Sequence, residues 1–147
     1  MKRLLYIFLF LLGLQNIRAQ DVVNDTIRLQ KTDIVGRWVE AKRIVNDSII
    51  IEQAFPDHYI FKDDMVFHKG QASEGVILFN IGGRYRIEGD SIAVTYFDFI
   101  QNTTDSRVPQ TVTFKVVSLS ESEINAYVND SQEGKYFIRL RRQFLDQ

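Results

Sequence analysis

From Gly83 to Tyr96 the chain reads GRYRIEGDSIAVTY, a pattern that leaves few folding options. Tyr85, Ile87, Ile92, Val94 and Tyr96 alternate onto one face of a strand pair, while Arg84, Arg86, Glu88, Ser91, Ala93 and Thr95 take the other. Gly89-Asp90 between them suits a two-residue turn with positive φ, so the segment predicts a tight hairpin pairing Tyr85 with Val94 and Ile87 with Ile92. One face is apolar and the other wet. The rest of the chain must supply what covers the apolar face.

The same period of two recurs. In TVTFKVV, Val112, Phe114 and Val116 alternate with polar neighbours; in YFIRLRR, Tyr136, Ile138 and Leu140 do so. HYIFKDDMVFHK predicts a second hairpin turning at Asp63-Asp64, and VILFN, INAYV and IIIEQ predict further strands. The NDS triplets at 46–48 and 129–131 are turn chemistry. No long stretch carries a helical period. Roughly eight to ten short antiparallel strands in sequence order must hide their edges, as a closed barrel or as a sandwich, and the period does not choose between them. There is no repeat and no second composition regime, so one domain over residues 33–145 is the economical reading, preceded by an arm at 20–32.

Residues 1–19 read differently. Lys2 and Arg3 precede the apolar run Leu4 to Leu14, and Ala19 offers a small residue for cleavage, the order of a secretory signal peptide. As a helix that run reaches only about 16 Å, against about 30 Å for a bilayer core. No cysteine follows it to accept a lipid, so the mature chain is expected to be exported, periplasmic or secreted, without a membrane anchor. Removing Lys2, Arg3 and Arg18 from 18 basic residues leaves 15 against 19 acids, a net charge of −4. That balance gives no footprint for nucleic acid. The absence of cysteine excludes disulfides, thiolate metal sites and a cysteine nucleophile, so an exported domain of this sequence is held by its core.

The order of motifs resembles the small lipocalin-like domains of secreted bacterial proteins, of the Bacteroides group in particular, within the calycin superfamily. Those domains open on a Gly-x-Trp strand, here Gly36-Arg37-Trp38. A "YxFxDD" hairpin follows at Tyr59 to Asp64, then "GxYxIxGDxI" from Gly83 to Ile92, "LSxSEI" from Leu119 to Ile124, and a closing "IxLxR" at Ile138, Leu140 and Arg142. The resemblance spans nearly all of the mature chain. It implies a single up-and-down antiparallel barrel in which Trp38 plugs the closed end under an arginine from the last strand. Arg142, sharing the face of Tyr136, Ile138 and Leu140, is the choice over Arg141. A Thr-Asp-Tyr motif in a middle loop is missing, which separates the chain from the vertebrate-type carriers. The single tryptophan argues against a biotin site.

The leading functional expectation is a binding module for a small apolar or aromatic ligand inside the barrel, lined by Tyr85, Tyr96, Phe114, Tyr136 and Ile138. The blander reading is that these side chains fill the core. The second functional reading is a protein–protein module with a filled barrel and an outer patch of Phe97, Phe99 and Tyr127; its partner is unknown. No catalytic residue, cofactor or metal ligand is expected. His58 and His68 flank Asp63-Asp64, but a turn at those two acids puts Tyr59 opposite His68 and sends His58 to the other face. Gly82-Gly83 reads as a turn or bulge rather than a phosphate cradle. Glu74 and Asp98 are lone acids; the alternation from Tyr96 turns Asp98 inward, while Phe97 and Phe99 suggest a bulge or reversal there. The triplets Asp25-Thr26-Ile27, Asp47-Ser48-Ile49 and Asp90-Ser91-Ile92 resemble the O-glycan acceptor of exported Bacteroides-group proteins, making Thr26, Ser48 and Ser91 candidates; turn chemistry accounts for them equally simply.

Overall fold

The computed structural model describes residues 26–50, 54–99 and 108–144. The signal segment, most of the arm and parts of two loops lie outside them. Among the described residues, a four-residue helix α1 (Lys31–Ile34) precedes nine strands: β1 (Gly36–Val45), β2 (Ser48–Ile50), β3 (His58–Phe61), β4 (Val66–Ser73), β5 (Val76–Glu88), β6 (Ser91–Asp98), β7 (Gln110–Leu119), β8 (Glu123–Asp130) and β9 (Gly134–Gln143). Every adjacent pair is antiparallel, and β9 pairs back onto β1. That ring closes eight strands into an up-and-down barrel, with β2 added beside β1. Closure removes the sheet edges that the alternating pattern left exposed.

The β5–β6 hairpin has the expected register, Tyr85 against Val94 and Ile87 against Ile92, with Gly89 at φ 64 in the turn. The β3–β4 hairpin does not. Met65 adopts φ 64 and lengthens the turn by one residue, so Tyr59 faces Lys69 and Ile60 faces His68. His58 and His68 therefore share the outer face instead of diverging. Gly82 and Gly83 lie within β5, not in a turn. A Cβ on Gly83 would stand 2.0 Å from the Thr95 carbonyl oxygen, so glycine lets β5 and β6 approach at a bend of the barrel.

Three bulges shift the alternation: at Ala41 in β1, around Phe79-Asn80 in β5 and at Val117 in β7. Inside the ring, Tyr59, Phe61, Phe67, Tyr85 and Phe114 form an aromatic cluster, with Phe61 edge-on to Tyr85 at 5.2 Å and to Phe114 at 6.2 Å. Below it, Leu29 and Ile34 are buried against the closed end, and the Leu29 amide donates to the Gly89 carbonyl. The described end of the arm is thus part of the core.

Candidate functional site

The closed end is built around Trp38. Its indole Nε1 donates to the Ile34 carbonyl at 2.8 Å, and the Arg142 guanidinium lies over its ring at 4.1 Å. Arg142 also donates to the carbonyls of Asp33, Val35 and Glu121, each at 2.7 Å, tying α1, the start of β1 and the β7–β8 turn together. Gly36 takes φ 142, and a Cβ there would come within 2.6 Å of Arg142 Nη1. Glycine is needed for the backbone angle and for the arginine's passage.

Tyr85, Tyr96, Phe114, Tyr136 and Ile138 all point inward, with between 0% and 6% of their surface exposed. They fill the barrel with their neighbours; a ligand-sized void would leave its walls accessible to water, and these walls are not. Two of the tyrosines carry fixed hydroxyl partners: Tyr85 donates to the Lys62 carbonyl at 2.6 Å and Tyr96 to Asp130 Oδ1 at 3.0 Å.

Toward the open end the interior becomes ionic. The bulge at Ala41 lets Glu40 and Arg43 both turn inward, and the Arg43 fork grips Glu40 through Nε (2.7 Å) and Nη2 (2.9 Å). Its Nη1 donates to Glu133 Oε2 at 2.7 Å, and its plane stacks on Tyr136 at 4.2 Å. Lys69 Nζ reaches Glu133 at 3.2 Å and Asp57 at 3.4 Å, and the Tyr59 hydroxyl donates to Glu40 at 3.1 Å. Burial is the largest single influence on Arg43 and opposes its charge, but the Glu40 hydrogen bonds together with the Coulombic pull of Tyr59, Glu40 and Tyr136 outweigh it and hold its pKa above the ordinary value. Burial raises Asp57, and the Lys69 charge only partly offsets it. Burial would also raise Glu133, but Lys69 and Arg43 prevail and hold it below its usual range. The pattern of alternation does not reveal this network. Its members come from four separated segments, at 40–43, 57–59, 69 and 133–136, and strict alternation from Trp38 would have turned Lys42 inward in place of Arg43.

The remaining candidates are scattered. Phe99 and Tyr127 are exposed, but Phe97 and Tyr127 do not form one patch. The ladder sets Tyr127 level with Ser91 through Lys115, which leaves Phe97 ~20 Å further along β6. Asp98 keeps the inward alternation, with no reversal, and accepts from Asn80 Nδ2 at 3.2 Å. His58 is buried with Nδ1 unpartnered, and burial lowers the pKa of both histidines. Among the described residues no three His, Cys, Asp or Glu side chains are grouped to hold a metal. Thr26 and Ser48 are exposed; Ser91 is half-buried, its hydroxyl donating to Asp90 at 2.7 Å.

Among the described residues, six of the ten large apolar side chains left exposed crowd the open end: Val76, Ile77, Leu78 and Phe79 of β5, with Phe99 and Val108 flanking the β6–β7 loop. They sit where β4 and β5 outrun the barrel. The β3–β4 ladder stops at Gly70 and the β5–β6 ladder at Ile81, so beyond these points the described ladders pair β4 and β5 only with each other.

No family model and no curated protein matches the chain. Among solved structures it is similar to a lipocalin-like protein from Bacteroides uniformis, with a TM-score of 0.53 and 21% identity over 76% of this chain and 99% of that one. It is also similar to an uncharacterized protein from Bacteroides eggerthii, with a TM-score of 0.50 and 16% identity over 74% and 99% of the two chains. The shared feature is the lipocalin-like barrel fold.

Proposed function

We propose that this chain is an exported, non-catalytic binding module that recognises a protein partner through the apolar rim at the open end of its barrel. One observation carries the reading: a packed interior beside a projecting hairpin whose Val76 and Leu78 are 66% and 55% exposed. Apolar area of this kind, gathered at one end, is what an interface uses. Among the described residues the outer edges of this hairpin have no ladder partner beyond Gly70 and Ile81, an arrangement suited to an incoming strand. The likeness to a lipocalin-like protein supports a binding role at the level of the fold. Export rests on the basic, apolar and small-residue order of residues 1–19.

A small apolar ligand in the barrel would have to displace Phe114 or Ile138, which are 1% and 0% exposed. The two readings separate in one experiment. The rim reading expects wild-type protein to capture a partner from the envelope of its native host. The Leu78→Ser/Phe99→Ser variant should lose it while keeping its melting temperature. Capture that ignores both substitutions rejects the rim. A small molecule retained through purification in native mass spectra, and a melting temperature that falls on its removal, would return the site to the barrel interior.

A further inference from the structure

The outer wall formed by β7, β8, β9 and the end of β1 carries a groove of about 540 Å³, away from the open rim. Its size falls within the roughly 300–1,000 Å³ range of small-molecule sites. The ladder lays Lys115, Tyr127, Phe137 and Ile44 side by side across four strands, with Thr113, Asn129 and Lys135 in the next row. Tyr127 and Phe137 meet edge to face, 5.4 Å apart at 69°, and make an aromatic corner. Tyr127 is 60% exposed, so one ring face is open to solvent.

The charges of this groove are as telling as its rings. Lys115 and Lys135 both line it, and among the described residues neither ammonium has an ion-pair or hydrogen-bond partner. Elsewhere Lys31 and Lys69 are paired with carboxylates, while Lys42 and Lys62 also carry no ion pair among the described residues; what sets Lys115 and Lys135 apart is that they flank a pair of rings in one concavity. The two groove lysines stand two strands and one row apart, about 12 Å between Cα atoms, with the rings between them. Asp47, in the β1–β2 turn, is the one acid on the lining and sits at the Lys135 end. Lys115 is therefore the unopposed cation.

We propose that this groove binds a small planar anion, an aromatic ring carrying a carboxylate, sulfonate or phosphate. The ring stacks on Tyr127 against the edge of Phe137, and the anionic group faces Lys115, with Lys135 as the second contact. Asp47 repels a ligand presented the other way round. The site is independent of the rim and of whatever the rim recognises.

Three probes that share a ring and differ in charge test it: indole-3-acetate, indole-3-acetamide and tryptamine, titrated at low salt while backbone amide shifts are followed by NMR. The expected order is acetate, then acetamide, then tryptamine, with acetate about tenfold tighter than tryptamine. Shift changes should centre on residues 113–115, 127–129 and 135–137. Lys115→Gln should collapse the preference for acetate while leaving acetamide bound, and Tyr127→Ala should weaken all three. Both positions are exposed, and their melting temperatures should stay near wild type. Equal affinity for the three probes, shifts centred elsewhere, or no binding at millimolar concentration would each overturn the assignment.

Discussion

Replacing Arg43 with methionine tests whether the ionic cluster inside the barrel is dry. The Arg43 side chain is 12% exposed and that of its partner Glu40 only 5%. Methionine roughly preserves the apolar stem but removes the cation and three charge-assisted hydrogen bonds, two to Glu40 and one to Glu133. Glu40 then keeps the Tyr59 hydroxyl as its side-chain donor, a weak substitute for a guanidinium in low dielectric. Breaking a buried pair from one side costs about 3–5 kcal/mol, mostly the penalty of the stranded charge. The lost stacking on Tyr136 lies inside that range. Near 4 kcal/mol, at about 4 °C per kcal/mol for a domain of this size, the melting temperature should fall by about 16 °C. Trp38 emission is a suitable reporter, because the ring lies at the opposite end of the barrel and senses global unfolding. The companion variant Arg43→Met/Glu40→Leu removes the stranded carboxylate and should recover most of the loss. A single variant within about 1 kcal/mol of wild type, or a double variant no better than the single, would refute the dry-cluster account.

Acid should weaken the same cluster through Glu133. Its folded pKa lies below the ordinary carboxylate value of 4.5, so its stabilisation is present above that value and is lost as pH falls through the folded value; Glu133→Gln should be less stable at neutral pH and show a shallower acid loss in urea melts. Asp57 has the opposite sign, being raised by burial, so Asp57→Asn should cost less at neutral pH than Glu133→Gln in the same melts. Gly83→Ala should abolish soluble, cooperatively melting protein because its Cβ meets Thr95 and Tyr96 backbone, whereas Gly70→Ala, whose Cβ meets the Ile77 and Phe79 side chains, should melt within about 1–2 kcal/mol of wild type. Trp38→Ala should cost about 3–5 kcal/mol by calorimetry without altering capture by the rim once folded protein is compared; unchanged stability would contradict its role as the plug of the closed end.

How much of this was legible depends on where the chain keeps strict alternation. In β5 and β6 the period of two is unbroken around Gly89-Asp90, and both register and inward face follow from the residues alone. The closure of the barrel did not follow from the period. It entered through the motif order, and the pairing of Trp38 with Arg142 across β1 and β9 shows it directly. The β3–β4 turn is one residue longer than its residues predict because Met65 adopts a positive φ usually left to glycine or asparagine. That slip moves His68 to the outer face that already holds His58.

The bulges explain the larger miss. Each inserts one residue that no composition or period marks, and each lies beside the polar part of the interior or the groove outside it. At Ala41 the shift exchanges Lys42 for Arg43 on the inner face and turns Ile44 outward, where it becomes one wall of the aromatic groove. One inserted residue thus helps close the barrel's interior with an ion-pair network and opens a concavity on its outer wall. An apolar ligand in the barrel seemed natural because the inward-facing tyrosines look like a lining. The bulge supplies the fact that the pattern lacked: Tyr59 and Tyr136 do not face a void but support Glu40 and Arg43. Deleting Ala41 should therefore do more than shorten a strand. It would restore the simple alternation, draw Ile44 inward and expel Arg43, so the ionic cluster and the outer groove should be lost together.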